Sequence, residues 1–438
     1  MKIIFLTPGT GSYYCGACMR DNTLARELLR DGHDVTMAPM YLPLMLDDAA
    51  LEGLEATPIF FGGINVYLQQ KLAFFRKTPA VLDRLLNRKG LLRWAARHSH
   101  MTSAREHGEM TLEMLHVEKS RFRKEWDKLL AWLDLEKPDL VCLSNALLGG
   151  FAAVLKQRLG VPVITFFQGE DSFLDGLPEP YRAQCWSALA ARLPASDALI
   201  APSRFYADFM RERLGFGAGA IDVVHNGIRL DGYAVAPAPP QPPAIGFFAR
   251  LCRDKGLEIF VDAFLALARD FGDTTTRLKI AGAATAGDQP FIDEMKRRIA
   301  SAGLEARVDW SPNVTRDQKI AFLRGLSVFS VPTIYAEAFG MYVLEAMACG
   351  IPVVQPQSAA FPEIVGETGG GLCVRPRDPH ALASAWQQML AQPARRAEFG
   401  RAGRLGVEKH FSARTMCDQF TQLTARLTRA AQPSHSPS

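Results

Sequence analysis

Short, nearly continuous apolar runs alternate along this chain with longer stretches whose apolar residues recur every three or four positions. Runs of the first kind read as strands buried on both faces, and the second kind as helices packed on them. Residues 2–7 form the first such strand. The loop TPGTGSYYCGAC follows, then a helix through about Arg30 with Leu24, Leu28 and Leu29 on one face. Gly32-His33-Asp34-Val35-Thr36 turns into a second strand, and further strand patterns stand at 139–143, 160–166 and 199–203. This alternation implies an α/β chain built on doubly wound parallel sheets. Tyr233 to Pro243, YAVAPAPPQPP, reads as a short, Pro-rich, semi-rigid linker. A second α/β set starts beyond it. Its first strand is Ala244 to Ala249, which leads through Arg250-Leu251-Cys252-Arg253-Asp254-Lys255-Gly256 into the helix LEIFVDAFLALARDF. Leu278 to Ala283 ends another strand, and Val308 to Val314 reads as a loop segment after it. Phe361 opens a helix with Pro362 in its first turn. Residues 378–390 and 411–427 are amphipathic helices, and Gln432 to Ser438 is a frayed tail.

The chemistry concentrates between Val331 and Pro352, VPTIYAEAFGMYVLEAMACGIP. Val331 and Ile334 read as the end of a buried parallel strand. A loop follows, then a helix from about Met341 to Cys349, stopped at Gly350. In open α/β sheets ligands bind outside the carboxyl ends of strands. A helix N-terminus there favours phosphate through its free N–H groups and dipole. Glu337 lies before the helix and Glu345 one turn inside it. Ionised carboxylates only accept hydrogen bonds, so they suit hydroxyls and not the anion. A ligand with both phosphate and hydroxyls suggests a nucleotide sugar. Taken alone, the two glutamates also fit one helix cap and one solvated surface residue.

With 438 residues the chain is long enough for two or three domains. Its 50 basic and 46 acidic residues leave a net charge of +4, so nothing in the balance calls for nucleic acid. The eight cysteines are scattered, several in strand-like surroundings, which fits reduced thiols in a cytoplasmic protein. Residues 1–6 are too short an apolar run for a signal peptide, and no run approaches the roughly 20 residues of a membrane span. Between Lys71 and Lys128 fourteen Lys and Arg stand against seven Asp and Glu, interleaved with Phe74, Phe75, Trp94, Phe122 and Trp126. This stretch fits solvated amphipathic helices, or a surface meeting an anionic lipid or polysaccharide at the inner membrane face. His98, His100, His107 and His116 show no metal-ligand spacing. Cys15-Gly16-Ala17-Cys18 has the C-x-x-C form of a redox site, but lies in the first strand–helix loop of a far longer chain.

Glu337 and Glu345, set within EAFGMYVLEAMACGIPVV, match the E-x7-E motif of retaining glycosyltransferases. The chain resembles family 4 of the GT-B fold, the glycosyl transferases group 1. Arg250 and Lys255 match that family's R-x4-K-G, and Gly16 falls at the second glycine of its first loop, with Cys15 where another glycine is common. Gln168 stands where relatives carry His. Gln can hydrogen-bond a sugar hydroxyl but cannot take up a proton's charge. The GG-x-x-VYL segment near Gly62 and Gly63 is similar to one in glycogen and starch synthases.

The resemblance implies two Rossmann-like domains facing across a cleft. Residues 1–232 would be an acceptor-side domain with a basic helical insertion at about 70–128, and 233–243 a linker. Residues 244–410 would bind the nucleotide sugar, 411–430 would pack back on the first domain, and 431–438 would be a tail. It also implies that Arg250, Lys255 and the Gly16 loop stabilise charge on the leaving diphosphate. Glu337 and Gln168 would meet the donor sugar and Glu345 the ribose. Backbone groups of Phe339, Gly340 and Met341 would meet sugar and phosphate, and the Asn313–Val314 loop the base. Anomeric configuration would be retained with no cofactor and no metal. The acceptor would be a saccharide or a lipid-linked one. Alternatives stay open: a glycogen- or starch-synthase-like polymerase, a nucleotide-sugar-binding protein without transfer, and a thiol-redox protein using Cys15 and Cys18.

Overall fold

The computed structural model of the chain describes residues 1–8, 16–41, 60–61, 104–236 and 238–431. The expectations for Cys15, for Gly62 and Gly63, for most of the basic stretch and for the tail lie outside them. Two compact units emerge. One holds Met1–Pro202, Ala207–His225 and Met416–Ser438; the other holds Ser203–Tyr206 and Asn226–Thr415. The Pro-rich segment after Tyr233 thus falls inside the second unit.

The first unit is built on β1 (Lys2–Thr7), β2 (Asp34–Pro39), β3 (Leu140–Leu143), β4 (Val163–Phe166), β5 (Ala198–Ala201) and β6 (Asp222–Val223). All pair in parallel in the order β2-β1-β3-β4-β5-β6. The continuous apolar runs have the expected cause. Ile3, Ile4, Phe5 and Leu6 are all fully buried because helices cover both faces of the sheet. On one face Phe5, Phe166 and Phe420 group with ring centroids 6.0–6.5 Å apart. Phe420 belongs to the helix Ala413–Ala431, whose Met416, Cys417, Phe420 and Leu423 form one buried stripe at helical spacing. Within the described part of the basic stretch, Phe122 and Trp126 are core residues, packed with Phe61 and Phe151. Arg121 pairs with Glu109 and Glu113, and Lys128 with Glu125. The interleaved aromatics there serve packing and do not face a ligand.

The second unit carries β7 (Ala244–Phe248), β8 (Arg277–Gly282), β9 (Val308–Pro312), β10 (Val328–Phe329), β11 (Val353–Pro356) and β12 (Gly371–Val374). Their order is β12-β11-β10-β7-β8-β9, again all parallel. The strand order reverses between β7 and β10, which makes that pair the switch point. Two expectations need correction. Residues 308–312 are the edge strand β9, and the loop begins only at Asn313. The strand expected to end through Val331 and Ile334 stops at Phe329. Val331 is fully buried, so the apolar signal continues past the last ladder bond. There Thr333 N–H turns back to the Val331 carbonyl at 2.9 Å, and Pro332 has no N–H to offer a ladder.

The helix Leu257–Asp270 buries Leu257, Phe260, Val261, Phe264 and Leu267 against the sheet, with Phe260 edge-on to Trp386 at 5.1 Å. The helix Pro393–His410 was not evident in the apolar pattern. Its inner face is Gly400, Gly403 and Gly406, which approach Gly350 O, Gly370 Cα and Thr368 Cα so closely that an added Cβ would lie 2.3, 3.1 and 2.5 Å away. A face that packs backbone on backbone gives no hydrophobic periodicity to read.

Gly256, at φ +77°, joins β7's loop to the helix Leu257–Asp270, and a Cβ there would lie 1.8 Å from Pro332 O. Gly303, at φ +69°, has open space around it. Gly303→Ala should therefore cost only left-handed strain, about 1 kcal/mol. Gly256→Ala adds a backbone clash and should cost about 3 kcal/mol or more in denaturant unfolding. Equal costs would show that the two loops are free to separate.

Candidate active site

The loops leaving β7, β8, β9 and β10 of the second unit are tied edge to edge. Ile334 N–H donates to Asp254 O at 3.0 Å, and Leu251 N–H to Ala283 O at 2.8 Å. Gly282, at φ +136°, lets the β8 loop touch Ala249 O, where a Cβ would sit at 1.7 Å. Asn313, itself at φ +56°, clamps Ala284 in both directions. Its Oδ1 accepts from Ala284 N–H at 3.0 Å, and its Nδ2 donates to Ala284 O at 3.1 Å. Asn313 is thus a loop-shaping residue, with Val314 next in the chain, and both stand at a strand's carboxyl end.

On this frame the switch point brings Lys255 and Glu337 together, Nζ to Oε2 at 2.6 Å. The same Oε2 accepts from Tyr342 OH at 2.7 Å and Tyr335 OH at 2.8 Å. Lys255 also donates to the Tyr335 oxygen and lies 4.8 Å above that ring. Burial pushes the Glu337 carboxyl up. The Lys255 charge and the three donated hydrogen bonds outweigh this and hold it below its ordinary range. Gly340, at φ +95°, turns the chain into the helix Met341–Ala348, and its ideal Cβ position is 3.7 Å from Glu337 Cγ. The first N–H groups of that helix, starting at Met341, have no intrahelical acceptor. Phe339, beside them, is a buried core residue edge-on to Phe411.

Arg250 leaves β7 on the same loop as Lys255 but pairs elsewhere, with Asp288 at 3.1 Å, and stays more than half exposed. Asp288 is held in turn by Thr285 N–H at 2.9 Å and Thr285 OH at 2.7 Å. Arg253, three positions on in the same loop, pairs with Glu258 and Glu294. Glu345 is buried inside its helix. Its Oε1 accepts from Tyr233 OH and from Lys319 Nζ, each at 2.8 Å.

Sequence reasoning missed Tyr335, Tyr342, Tyr233 and Lys319. Lys319 left one trace: it shares a helix face with the buried Leu323 four residues on, a cation within an apolar stripe. The tyrosines left none, because their value lies in where the loops place their hydroxyls.

Two expected residues belong to the first unit. Gly16 opens the helix Gly16–Arg30, where an added Cβ would meet nothing within 4 Å among the described residues. Gln168 follows β4, and its N–H donates to Glu170, which also accepts from Ala146 and Gly169 N–H. In the same unit Arg20 and Asp21, both fully buried, lie 2.9 Å apart at the switch between β1 and β3. Burial pushes the Asp21 carboxyl up to about 6 against the pull of Arg20. Cys18 is buried on the same helix. Among the described residues no group of His, Cys, Asp and Glu is arranged to hold a metal ion. None of the described helices is long and apolar enough to cross a membrane.

Comparison with known proteins agrees with this fold. The family "Glycosyl transferases group 1" matches residues 234–406, and "Glycosyltransferase Family 4" matches 114–231. The chain belongs to the family-4 glycosyltransferases of the GT-B fold. A D-inositol 3-phosphate glycosyltransferase of Xylanimonas cellulosilytica is 29% identical over 53% of this chain. A lipopolysaccharide core mannosyltransferase of Rhizobium meliloti is 33% identical over 40% of it, and a glycogen synthase of Mycobacterium tuberculosis 27% identical over 66%. These matches span 58%, 48% and 68% of the respective relatives. Among solved structures, sucrose-phosphate synthase from Thermosynechococcus elongatus has a TM-score of 0.71 at 20% identity, covering 98% of this chain and all 100% of its own. Anabaena HepE in complex with UDP has a TM-score of 0.66 at 17% identity, covering 97% of this chain and 100% of its own.

Two outcomes follow for the acids. Lys319→Met leaves Glu345 buried without its cation and should cost about 3–5 kcal/mol, much of it regained when Glu345→Gln is added. A full cost in the double variant would show that Lys319 acts by packing alone. Glu337 has a lower pKa folded than its ordinary 4.5, so its ionisation adds stability above that value and loses it as pH falls through the folded pKa. The melting temperature of Glu337→Gln should lie below wild type near neutral pH, and the gap should narrow only as the pH falls below 4.5 and through the lower folded pKa. A gap independent of pH would mean the carboxylate charge is not what holds the loops.

Proposed function

We propose that this chain moves a sugar from a nucleotide-diphosphate sugar to a saccharide or lipid-linked saccharide acceptor, with retention of configuration and without a metal. The observation that carries the reading is the Lys255–Glu337 pair at the second unit's switch point, set against the N-terminus of Met341–Ala348. A cation and a helix N-terminus suit the diphosphate, and a carboxylate suits sugar hydroxyls. Arg250 shares the Lys255 loop and is exposed enough to leave Asp288 for phosphate. The Oε2 of Glu345, the oxygen not taken by Tyr233 or Lys319, accepts from the ribose. The Asn313–Val314 backbone faces the base. Catalysis is then positioning plus charge stabilisation on the leaving diphosphate, which can itself receive the acceptor proton on the same face. A lipid-linked acceptor would bring the chain to the cytoplasmic membrane surface without crossing it. The match to a glycogen synthase favours a second reading, a polymerase that extends a glucan.

The test is thermal shift against UDP-, GDP- and ADP-sugars, with transfer assayed on the donor that binds. A donor at about 100 times its Kd should add about 2.7 kcal/mol of stability. Arg250→Ala should mainly lower kcat, EDTA should change nothing, and NMR of the first product should show the donor's anomeric configuration. Inversion, or loss of turnover to EDTA, would overturn the mechanism. Successive addition to one acceptor would favour the polymerase.

A further inference from the structure

In the free protein Glu337 and Lys255 satisfy each other, yet the proposed function asks Lys255 to turn to a diphosphate. A half-buried carboxylate that loses its cation and keeps no other partner is strongly penalised. The Glu337 surroundings contain the remedy. Tyr342 OH and Tyr335 OH both donate to Oε2, the oxygen that Lys255 also holds, at 2.7 and 2.8 Å. Among the described residues no hydrogen bond reaches Oε1.

We propose that Tyr335 and Tyr342 are positioning residues that keep Glu337 ionised, with Oε1 open to a ligand hydroxyl, while Lys255 passes from Glu337 to the diphosphate. This rests on the donor-site reading above. The two tyrosines differ in how they are held. Tyr342 sits in the first turn of Met341–Ala348, with its ring tilted against Phe329 and Phe361 at 6.2 and 6.4 Å, so its hydroxyl is fixed by packing. Tyr335 lies on the loop between β10 and that helix and is bonded to Lys255 as well as Glu337. When Lys255 leaves, Tyr335 loses an incoming donor but keeps its own proton on Glu337. The arrangement lets one cation serve two anions in turn without stranding either. It also makes Glu337 a one-sided acceptor, so a donor sugar meets a single oxygen in a fixed direction.

The experiment follows Glu337 by carbon-13 carboxylate NMR, in wild type, Tyr342→Phe and the Tyr335→Phe/Tyr342→Phe pair, with and without UDP. In the free wild type the carboxyl should titrate below its ordinary 4.5 and stay there with UDP bound. In the double variant it should rise by about one unit without UDP, and by more with UDP as Lys255 leaves. With a donor that supports transfer, the acid limb of kcat/KM should move up in pH by the same amount. A loss of packing alone would not produce that shift. Identical titrations in wild type and double variant would overturn the proposal, as would a UDP-independent rise. If UDP, GDP and ADP all fail to bind while the free-state shift appears, the donor-site reading has failed and the hand-over with it. Binding without any shift sinks the tyrosine role and leaves the donor site standing.

Discussion

The 2.6 Å contact between Lys255 and Glu337 is the point on which the second unit's functional edge depends. It joins the loops of β7 and β10, the two strands where the sheet reverses its order. A doubly wound sheet leaves a crevice at that reversal because successive connections run to opposite sides. Here the crevice edge is not left to loop chance. Gly256 lets one loop press on the other's backbone, Ile334 bonds across to Asp254, and the ion pair joins the same two loops through side chains. Each neighbouring loop is fastened likewise, through Gly282 against Ala249 and Asn313 around Ala284. The result is a preorganised rim, the arrangement on which the proposed charge stabilisation would draw, because charges already oriented cost nothing to reorient during reaction.

What the sequence made legible follows from the range of each signal. Local patterns were readable: the buried strands of both sheets, the helix after Gly340, and the stop at Gly350 with φ +73°. So was the placement that follows from a fixed spacing, with Lys255 and Glu337 on the loops leaving β7 and β10 and Glu345 inside the helix Met341–Ala348. Tertiary partnerships were not. Arg250 and Lys255 stand five positions apart with the same charge, and nothing local says that one finds Asp288 and the other Glu337. Tyr233 and Lys319 meet on Glu345 from 112 and 26 residues away. The strand end at Phe329 was hidden because burial outlasts ladder bonding there. Phe122 and Trp126 looked like a surface pattern because charge neighbours them in sequence, while in space they point the other way, into the core.

Both acids of the motif are more tightly held than an open ligand site would suggest. Glu345 has a buried tyrosine and a buried lysine on a single oxygen, and Glu337 has a lysine and two tyrosines on a single oxygen. The shared pattern is one saturated oxygen per carboxylate. It fixes the plane of the group and restricts what a ligand can meet to the remaining oxygen.

The glycine face of Pro393–His410 carries a consequence for how this chain can change over time. Most core contacts pair side chain with side chain, so a larger residue on one side can be answered by a smaller one opposite. Gly400, Gly403 and Gly406 instead meet the main chain of Gly350, Gly370 and Thr368. A main chain cannot be made smaller, so no second substitution restores the fit. Lineages descended from this protein can therefore redraw the loops at the strand ends, while this seam admits no drift and keeps the helix in one register.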